Sequence, residues 1–306
     1  MDATPSVALP VDAERGIAER PPQPLRIGPR AFEWGARTFV MGILNVTPDS
    51  FSADGLMRPE TDYVTAAVDQ ARRMADEGAD ILDVGGQSTR PGHSEIDADE
   101  ERDRVVPVIG AVREALPQMP ISVDTTRASV AAAALDSGAD LINDIWGVAA
   151  EDDVLRLAAE RGTPIVLMHN RSEARYRNVL GEVVADLQRA IQRAVAAGVA
   201  WESVIIDPGI GFGKTAEHNL VVLRELATFT ALGRPLLLGT SRKSTIGKVL
   251  DVPADQRVEG TLATTALGIH AGADMIRVHD VVANVRVARM TDAIVRGRWR
   301  EAGGQQ

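Results

Sequence analysis

Eight short apolar runs in this sequence each stop at a polar side chain that can bind or react: Asn45, Asp83, Asp124, Asn143, His169, Asp207, Ser241 and the pair Arg277/His279. Taken singly, Asp83 or His169 could simply end a strand or cap a helix. As a set they are richer than capping requires, and they make sense if the runs are strands whose C-terminal ends converge on one catalytic face. Cysteine chemistry is excluded, because the chain has no cysteine: no disulfide, no thiolate metal ligand and no thiol nucleophile.

Two glycine-rich stretches lie among these positions. Asp207-Pro208-Gly209-Ile210-Gly211-Phe212-Gly213-Lys214-Thr215 resembles a phosphate-binding P-loop, but the first glycine of that pattern would fall on Pro208, so the match fails. Glycines two apart instead suggest a backbone that approaches a flat ligand closely, where a Cβ would intrude. The second stretch, Gly239-Thr240-Ser241-Arg242-Lys243-Ser244, follows the seventh run and enters a helix, the region where barrels often hold phosphate. Cations are unfavourable at a helix N-terminus, so Arg242 and Lys243 there call for an anionic partner.

The elements that must position these groups are legible in the hydrophobic pattern. The runs Phe39 to Leu44, Ile81 to Val84, Ile121 to Val123, Leu141 to Ile142, Ile165 to Met168, Val204 to Ile206, Leu236 to Leu238 and Met275 to Val278 read as strands buried on both faces, as parallel strands are. Between them apolar residues recur three or four apart, as at Val64, Val68, Ala71 and Ala75, or Val105, Ile109, Val112 and Leu116, which marks amphipathic helices. A weak repeat, Glu77-Gly78-Ala79-Asp80, Ser137-Gly138-Ala139-Asp140 and Ala271-Gly272-Ala273-Asp274, closes a helix with glycine and leads into a strand. Repetition of one βα unit favours a single closed (β/α)8 TIM barrel over a doubly wound open sheet.

The 306-residue length is compatible with one such domain spanning 25–298. Residues 1–24, rich in Pro, Ala and charge, read as a mobile tail, as do 299–306. No apolar run reaches membrane-spanning length and the N-terminus lacks a secretory h-region, so a cytoplasmic location is expected. A net charge of -10 disfavours nucleic-acid binding, and an anionic substrate would need a locally basic pocket.

The chain resembles the dihydropteroate synthase family, a pterin-binding TIM-barrel family, from about Leu25 to Arg298. The resemblance is carried by Asn45-Val46-Thr47-Pro48-Asp49-Ser50-Phe51, Ser88-Thr89-Arg90-Pro91-Gly92, Val123-Asp124-Thr125, Asn143-Asp144, Asp207 to Lys214, Ser241-Arg242-Lys243-Ser244 and Arg277-Val278-His279-Asp280. It implies joining of 4-aminobenzoate to 6-hydroxymethyl-7,8-dihydropterin diphosphate with release of pyrophosphate, Mg2+ as cofactor, a homodimer, and a sulfonamide target. By motif, Asp124, Asn143, Asp207 and Lys243 correspond to the pterin-binding set, and Asp124, Asp207 and Lys243 carry the catalytic assignment. A pterin edge offers adjacent N–H donors and a carbonyl acceptor that such groups satisfy. Asn45 corresponds to the Mg2+ ligand beside the diphosphate, Arg90, Arg277 and His279 to a diphosphate clamp, and Thr89 and Ser244, with loops 49–54 and 88–92, to the aminobenzoate pocket.

The implied mechanism is dissociative: pyrophosphate leaves, a pterin-stabilised methylene cation forms, and the arylamine nitrogen attacks it. The family's first loop usually continues Ser-Asp-Gly-Gly, whereas this chain reads Ser52-Ala53-Asp54-Gly55-Leu56, with one residue inserted and the second glycine missing. His169-Asn170-Arg171 is expected to form a pocket wall. A pterin-dependent methyltransferase of the same superfamily would share the Asp, Asn, Asp pocket but needs no diphosphate clamp, and a silent pterin-binding paralogue would bind without turnover.

Overall fold

The structure, a computed structural model, describes residues 22–46, 63–87, 96–148 and 152–297. Ten strands occur among them: β1 (Leu25–Ile27), β2 (Arg30–Phe32), β3 (Phe39–Asn45), β4 (Ile81–Gly85), β5 (Ile121–Asp124), β6 (Leu141–Asp144), β7 (Ile165–Met168), β8 (Val204–Asp207), β9 (Leu237–Leu238) and β10 (Met275–Val278). The helices are α1 (Tyr63–Asp76), α2 (Ala98–Ala115), α3 (Ala128–Asp136), α4 (Asp152–Arg161), α5 (Val179–Ala196), α6 (Ala216–Arg224), α7 (Ser244–Leu250), α8 (Val258–His270) and α9 (Val281–Val295). Strands β3 to β10 form one parallel sheet in the order β8-β7-β6-β5-β4-β3-β10-β9. The ring closes between β8 and β9 through the Ile206–Leu236 bridge, with Ile206 N–H donating to Pro235 O at 3.0 Å. This is a (β/α)8 TIM barrel, and all eight sequence-derived runs are its strands.

Alternation along each strand sorts the apolar side chains into two cores. Val40, Leu44, Leu82, Val84, Ile121, Val123, Ile165, Leu167, Ile276 and Val278 pack outward with the helices, whereas Met41, Ile81, Leu141, Val166, Ile205, Leu237 and Met275 fill the barrel interior. The interior core belongs to the N-terminal halves of the strands, so the inward positions nearer the C-terminal ends are free to be polar.

The β1–β2 hairpin, which the sequence pattern did not reveal, closes the N-terminal mouth. Its Leu25, Ile27 and Phe32, with Trp34, join the interior core, and Phe32, Trp34 and Phe39 pack ring to ring with centroids 4.7–5.6 Å apart. Phe32 is 1% exposed, so Phe32→Ala should cost about 3–5 kcal/mol of stability. Because this plug lies at the end of the barrel opposite the polar groups, kcat per folded molecule should stay at wild type. Thermal melts paired with active-site-titrated kinetics check both halves of that expectation.

The Gly-Ala-Asp repeat acquires a physical reason. Gly78, Gly138 and Gly272 adopt φ of +100°, +112° and +102° after their helices. The aspartate two residues on then accepts an N–H within one residue of the start of the preceding strand: Asp80 from Val40 (2.8 Å), Asp140 from Ile121 (2.9 Å) and Asp274 from Leu236 (3.0 Å). Each repeat staples neighbouring strands in register. Among the described residues no helix is long and apolar enough to cross a membrane.

Candidate active site

Above the apolar interior, the next inward positions are Asp83 on β4, Ser122 and Asp124 on β5, Asn143 on β6, Asp207 on β8 and Arg277 on β10, joined by Lys243 from the turn after β9. Arg277 is the hub: its Nε donates to Asp83 Oδ2 and its second guanidinium nitrogen to Asp124 Oδ2, both at 2.6 Å. Asn143 Nδ2 donates to the same Asp83 oxygen at 3.1 Å. Asp83 is completely buried, and its other oxygen, like Ser122 Oγ, has no hydrogen-bond partner. The network therefore spans strands from opposite ends of the sequence, and Asp83 fixes both Arg277 and Asn143.

Three carboxylates thus face two cations in a site shielded from water. Burial raises the Asp124 pKa to about 7 against the pull of Arg277, with Asp83 adding to the rise. Burial likewise lifts Asp207 to about 6, opposed by the Gly209 N–H and by Lys243. Lys243 is lowered to about 8 by burial and by Arg277, partly offset by Asp207 and Asp124. For Arg277 the burial penalty is outweighed by Asp83 and Asp124, and its pKa is raised. Groups held this far from their usual ranges in one layer mark a functional centre.

Around this layer the loops supply donors. Arg242 holds a left-handed backbone, φ 56°, tied down by Asp280 at 2.6 and 3.0 Å, and the next residue, Lys243, sets its ammonium 3.8 Å from the Phe212 ring centre. The His279 backbone N–H donates to Ser241 Oγ at 3.1 Å, and the same hydroxyl is hydrogen-bonded to His279 Nδ1 at 2.9 Å. Burial, with Arg242 and Arg277 nearby, lowers the His279 pKa to about 3. His279 is a neutral donor of one N–H, not a second cation.

The glycine-rich turn after β8 differs from its sequence reading. Gly209, Gly211 and Gly213 all have positive φ, and their bare faces meet protein: a Cβ would lie 1.8 Å from His169 O at Gly209, 2.9 Å from Lys243 Cδ at Gly211 and 2.4 Å from Arg171 O at Gly213. Close packing of loop on loop, rather than approach to a flat ligand, accounts for them. Of His169-Asn170-Arg171, Asn170 and Arg171 do line a cavity, with Trp146, Ser172, Glu173 and Arg175, whereas His169 itself is no pocket wall. It is fully buried behind the turn, between Asp186 and Lys214.

The structure brings Asp124, Asn143, Asp207, Lys243 and Arg277 into one layer and sets His279 beside it. Asn45 ends β3 in register with Gly85, which in turn pairs with Asp124. Ser244 is exposed at the first residue of α7, next to Lys243. Thr89, Arg90 and the altered loop Ser52-Ala53-Asp54-Gly55-Leu56 lie outside the described residues. Arg277, expected at the diphosphate, is held here by two carboxylates of the inner layer. Phe212 and Lys214 had no role in the sequence reading, and Asp83 was noted there without one; its signal was a charge at an inward position of an apolar run.

The family model described as pterin binding enzyme matches residues 41–279. The dihydropteroate synthase of Clostridium beijerinckii is 49% identical over 273 residues, covering 89% of this chain and 100% of that protein. That of Bacillus subtilis is also 49% identical, covering 89% of this chain and 94% of its own. This chain belongs to the dihydropteroate synthase family. Its barrel also superposes on the dihydropteroate synthase of Xanthomonas albilineans solved with 4-aminobenzoic acid, at a TM-score of 0.83 and 40% identity over 89% of this chain and 98% of that one. Within the family frame, the inner layer from Asp83 to Arg277 and the turns carrying Phe212 and Lys243 form the C-terminal mouth of a barrel enzyme.

Proposed function

We propose that this chain condenses 6-hydroxymethyl-7,8-dihydropterin diphosphate with 4-aminobenzoate to give 7,8-dihydropteroate and pyrophosphate. The observation that carries the reading is the buried layer in which Asp124, Asp207, Asn143 and Lys243 offer acceptors and donors to a flat, hydrogen-bonding heterocycle, with Arg277 at its hub and His279 beside it. The carboxylates accept the pterin N–H groups, Asn143 offers both a donor and an acceptor, and Lys243 donates to a pterin acceptor. The C–O bond to the diphosphate breaks with its electron pair leaving on pyrophosphate, and the methylene cation conjugates with the pterin ring. Asp124 and Asp207 stabilise that cation, while Arg277 and His279, with Arg90, donate to the departing oxygens. The arylamine nitrogen then attacks and its proton passes to solvent, so no strong base is required.

Asn45 fits a Mg2+ ligand. It is half-buried at a strand end, its amide oxygen is a neutral hard donor, and it stands in register with Gly85, which pairs with Asp124. Among the described residues no cluster of three or more His, Asp or Glu could cage a metal, and a hard cation that keeps most of its waters needs no such cage. Bound there, Mg2+ would neutralise diphosphate charge and make pyrophosphate a better leaving group. Exposed apolar side chains on α8 and α9, Leu267, Met290 and Ile294, favour a homodimer through that face. The catalytic unit is 25–298, working in the cytoplasm, with no call for residues 1–24 or 299–306 in the chemistry.

Chromatography of a mixture of both substrates, Mg2+ and the purified chain should show 7,8-dihydropteroate, and its absence would refute the assignment. A pH dependence follows from the carboxylates. The pterin takes the ionised forms, so affinity should fall as pH drops below about 7 and then about 6, where Asp124 and Asp207 pick up protons in the free site. It should fall again above about 8 as Lys243 loses its charge. Calorimetric titration of the pterin from pH 5 to 9 should trace this bell, and a flat profile would remove these groups from the ligand.

A further inference from the structure

The turn 209–213 has three glycines at positive φ, so its backbone has more freedom than a turn without glycine and needs an anchor to hold one shape. Lys214 supplies one. Burial lowers its pKa to about 7, and in the ammonium form its three protons find three acceptors: His169 Nδ1 at 2.8 Å, Gly209 O at 3.0 Å and Phe212 O at 3.1 Å. Two of these bonds pin the carbonyls at the two ends of the turn, and the third ties them to the end of β7. On the other side of the His169 ring, Nε2 lies 3.1 Å from Asp186 Oδ2, and because an ionised carboxylate only accepts, the imidazole proton belongs on Nε2 and leaves Nδ1 to accept from Lys214. Asp186 Oδ2 also binds Arg171 at 2.7 and 3.1 Å. The relay runs Lys214, His169, Asp186, Arg171, alternating cation, neutral imidazole, carboxylate and cation. Burial, reinforced by Lys214, lowers the His169 pKa to about 4, in keeping with the neutral form the geometry requires.

The pinned carbonyls matter because of what the turn carries. Gly209 N–H donates to Asp207 Oδ1 at 2.7 Å and so fixes which carboxylate oxygen is left for a ligand, while Phe212 sets its ring against the Lys243 ammonium. Resting on the dihydropteroate-forming reading, we propose that Lys214 is a positioning residue for the reaction: through the 209–213 turn it holds Asp207 and the Phe212–Lys243 pair in their working arrangement, with His169 and Asp186 as its support. Lys214 itself need touch no substrate.

The test compares Lys214→Met, His169→Gln and His169→Leu with wild type, measuring melting temperature, kcat and KM for both substrates, and amide hydrogen exchange of the 207–214 peptide in the free protein. Glutamine keeps one acceptor for Lys214 and one donor for Asp186, whereas leucine keeps neither. Lys214→Met and His169→Leu should exchange faster at Gly209 to Phe212 and lose about ten- to hundredfold in kcat, the usual result of small misplacements in a site. His169→Gln should recover most of both. Lys214→Met with wild-type exchange and kinetics, or His169→Gln as impaired as His169→Leu, would overturn the inference. If Lys214→Met does not fold, the histidine pair decides it by the same criteria. Turnover of the wild type in the same assay tests the underlying reading separately: an inactive wild type sinks the reaction, an active one indifferent to these substitutions sinks the relay.

Discussion

Asp207→Asn is expected to lower kcat about 100- to 1000-fold while leaving the barrel folded, the scale on which removal of one preorganised electrostatic group acts. Asp207 Oδ1 is engaged by the Gly209 N–H at 2.7 Å, so the amide oxygen of the asparagine would be drawn to that bond and its NH2 group left facing the pterin. Donor would then oppose donor. The substitution also removes one of three negative charges from the layer where the methylene cation forms, so the transition state should suffer more than the ground state. Weaker pterin binding and a lower kcat at saturation should appear together, with a melting temperature near wild type. A stable variant that keeps most of its kcat would show that Asp207 serves only to shape the turn.

Arg277→Ala should produce the largest combined effect on stability and binding. The guanidinium is about five-sixths shielded from solvent, with 16% exposure, and holds Asp83 and Asp124 at 2.6 Å each. Breaking a buried pair from one side commonly costs about 3–5 kcal/mol, because the partner charge is stranded. Part of that cost is relieved if Asp124 takes up a proton, so the variant should regain stability as pH is lowered. That sign follows from a carboxylate whose pKa is raised in the folded protein: it favours folding while protonated and loses that contribution as pH rises through its folded pKa, which in the variant lies above the wild-type value of about 7 because Arg277 no longer pulls it down. Binding should separate the two roles of the arginine. Loss of a charged hydrogen-bonding partner costs about 1.5–3 kcal/mol, roughly ten- to hundredfold, and should fall more heavily on the pterin diphosphate than on the pterin alcohol if Arg277 turns toward the leaving group. Equal losses, measured calorimetrically, would mean that Arg277 acts by aligning Asp124 and Asp83.

How much of this was legible in the sequence depends on the range of the interaction. The barrel strands were readable because each is a short apolar run ending in a polar residue, and helical period fills the gaps. The plug β1–β2 was not, since three-residue strands carry too little alternation to register. Asp124, Asn143, Asp207 and Lys243 were readable by motif. The Asp83–Arg277 pair was not, because its partners lie 194 residues apart and only barrel closure brings β4 and β10 inward together. The glycine spacing of the 209–213 turn announced a close approach but not its object; His169 O, Lys243 and Arg171 come from two other loops. Asp186, on the inner face of α5, looks in the sequence like any helix carboxylate, and its tie to His169 exists only once the helix is packed.

The most direct test of the central claim, that this layer drives pyrophosphate off a pterin diphosphate before the arylamine attacks, is a pyrophosphate-release assay on the purified full chain with Mg2+, run with and without 4-aminobenzoate. With both substrates, pyrophosphate should appear in step with dihydropteroate; without the amine, enzyme-bound pyrophosphate should still form within the first turnover, and strongly less so in Asp207→Asn. No pyrophosphate from the complete mixture would contradict the function, and none without the amine, at concentrations where the complete reaction runs, would contradict cleavage before attack.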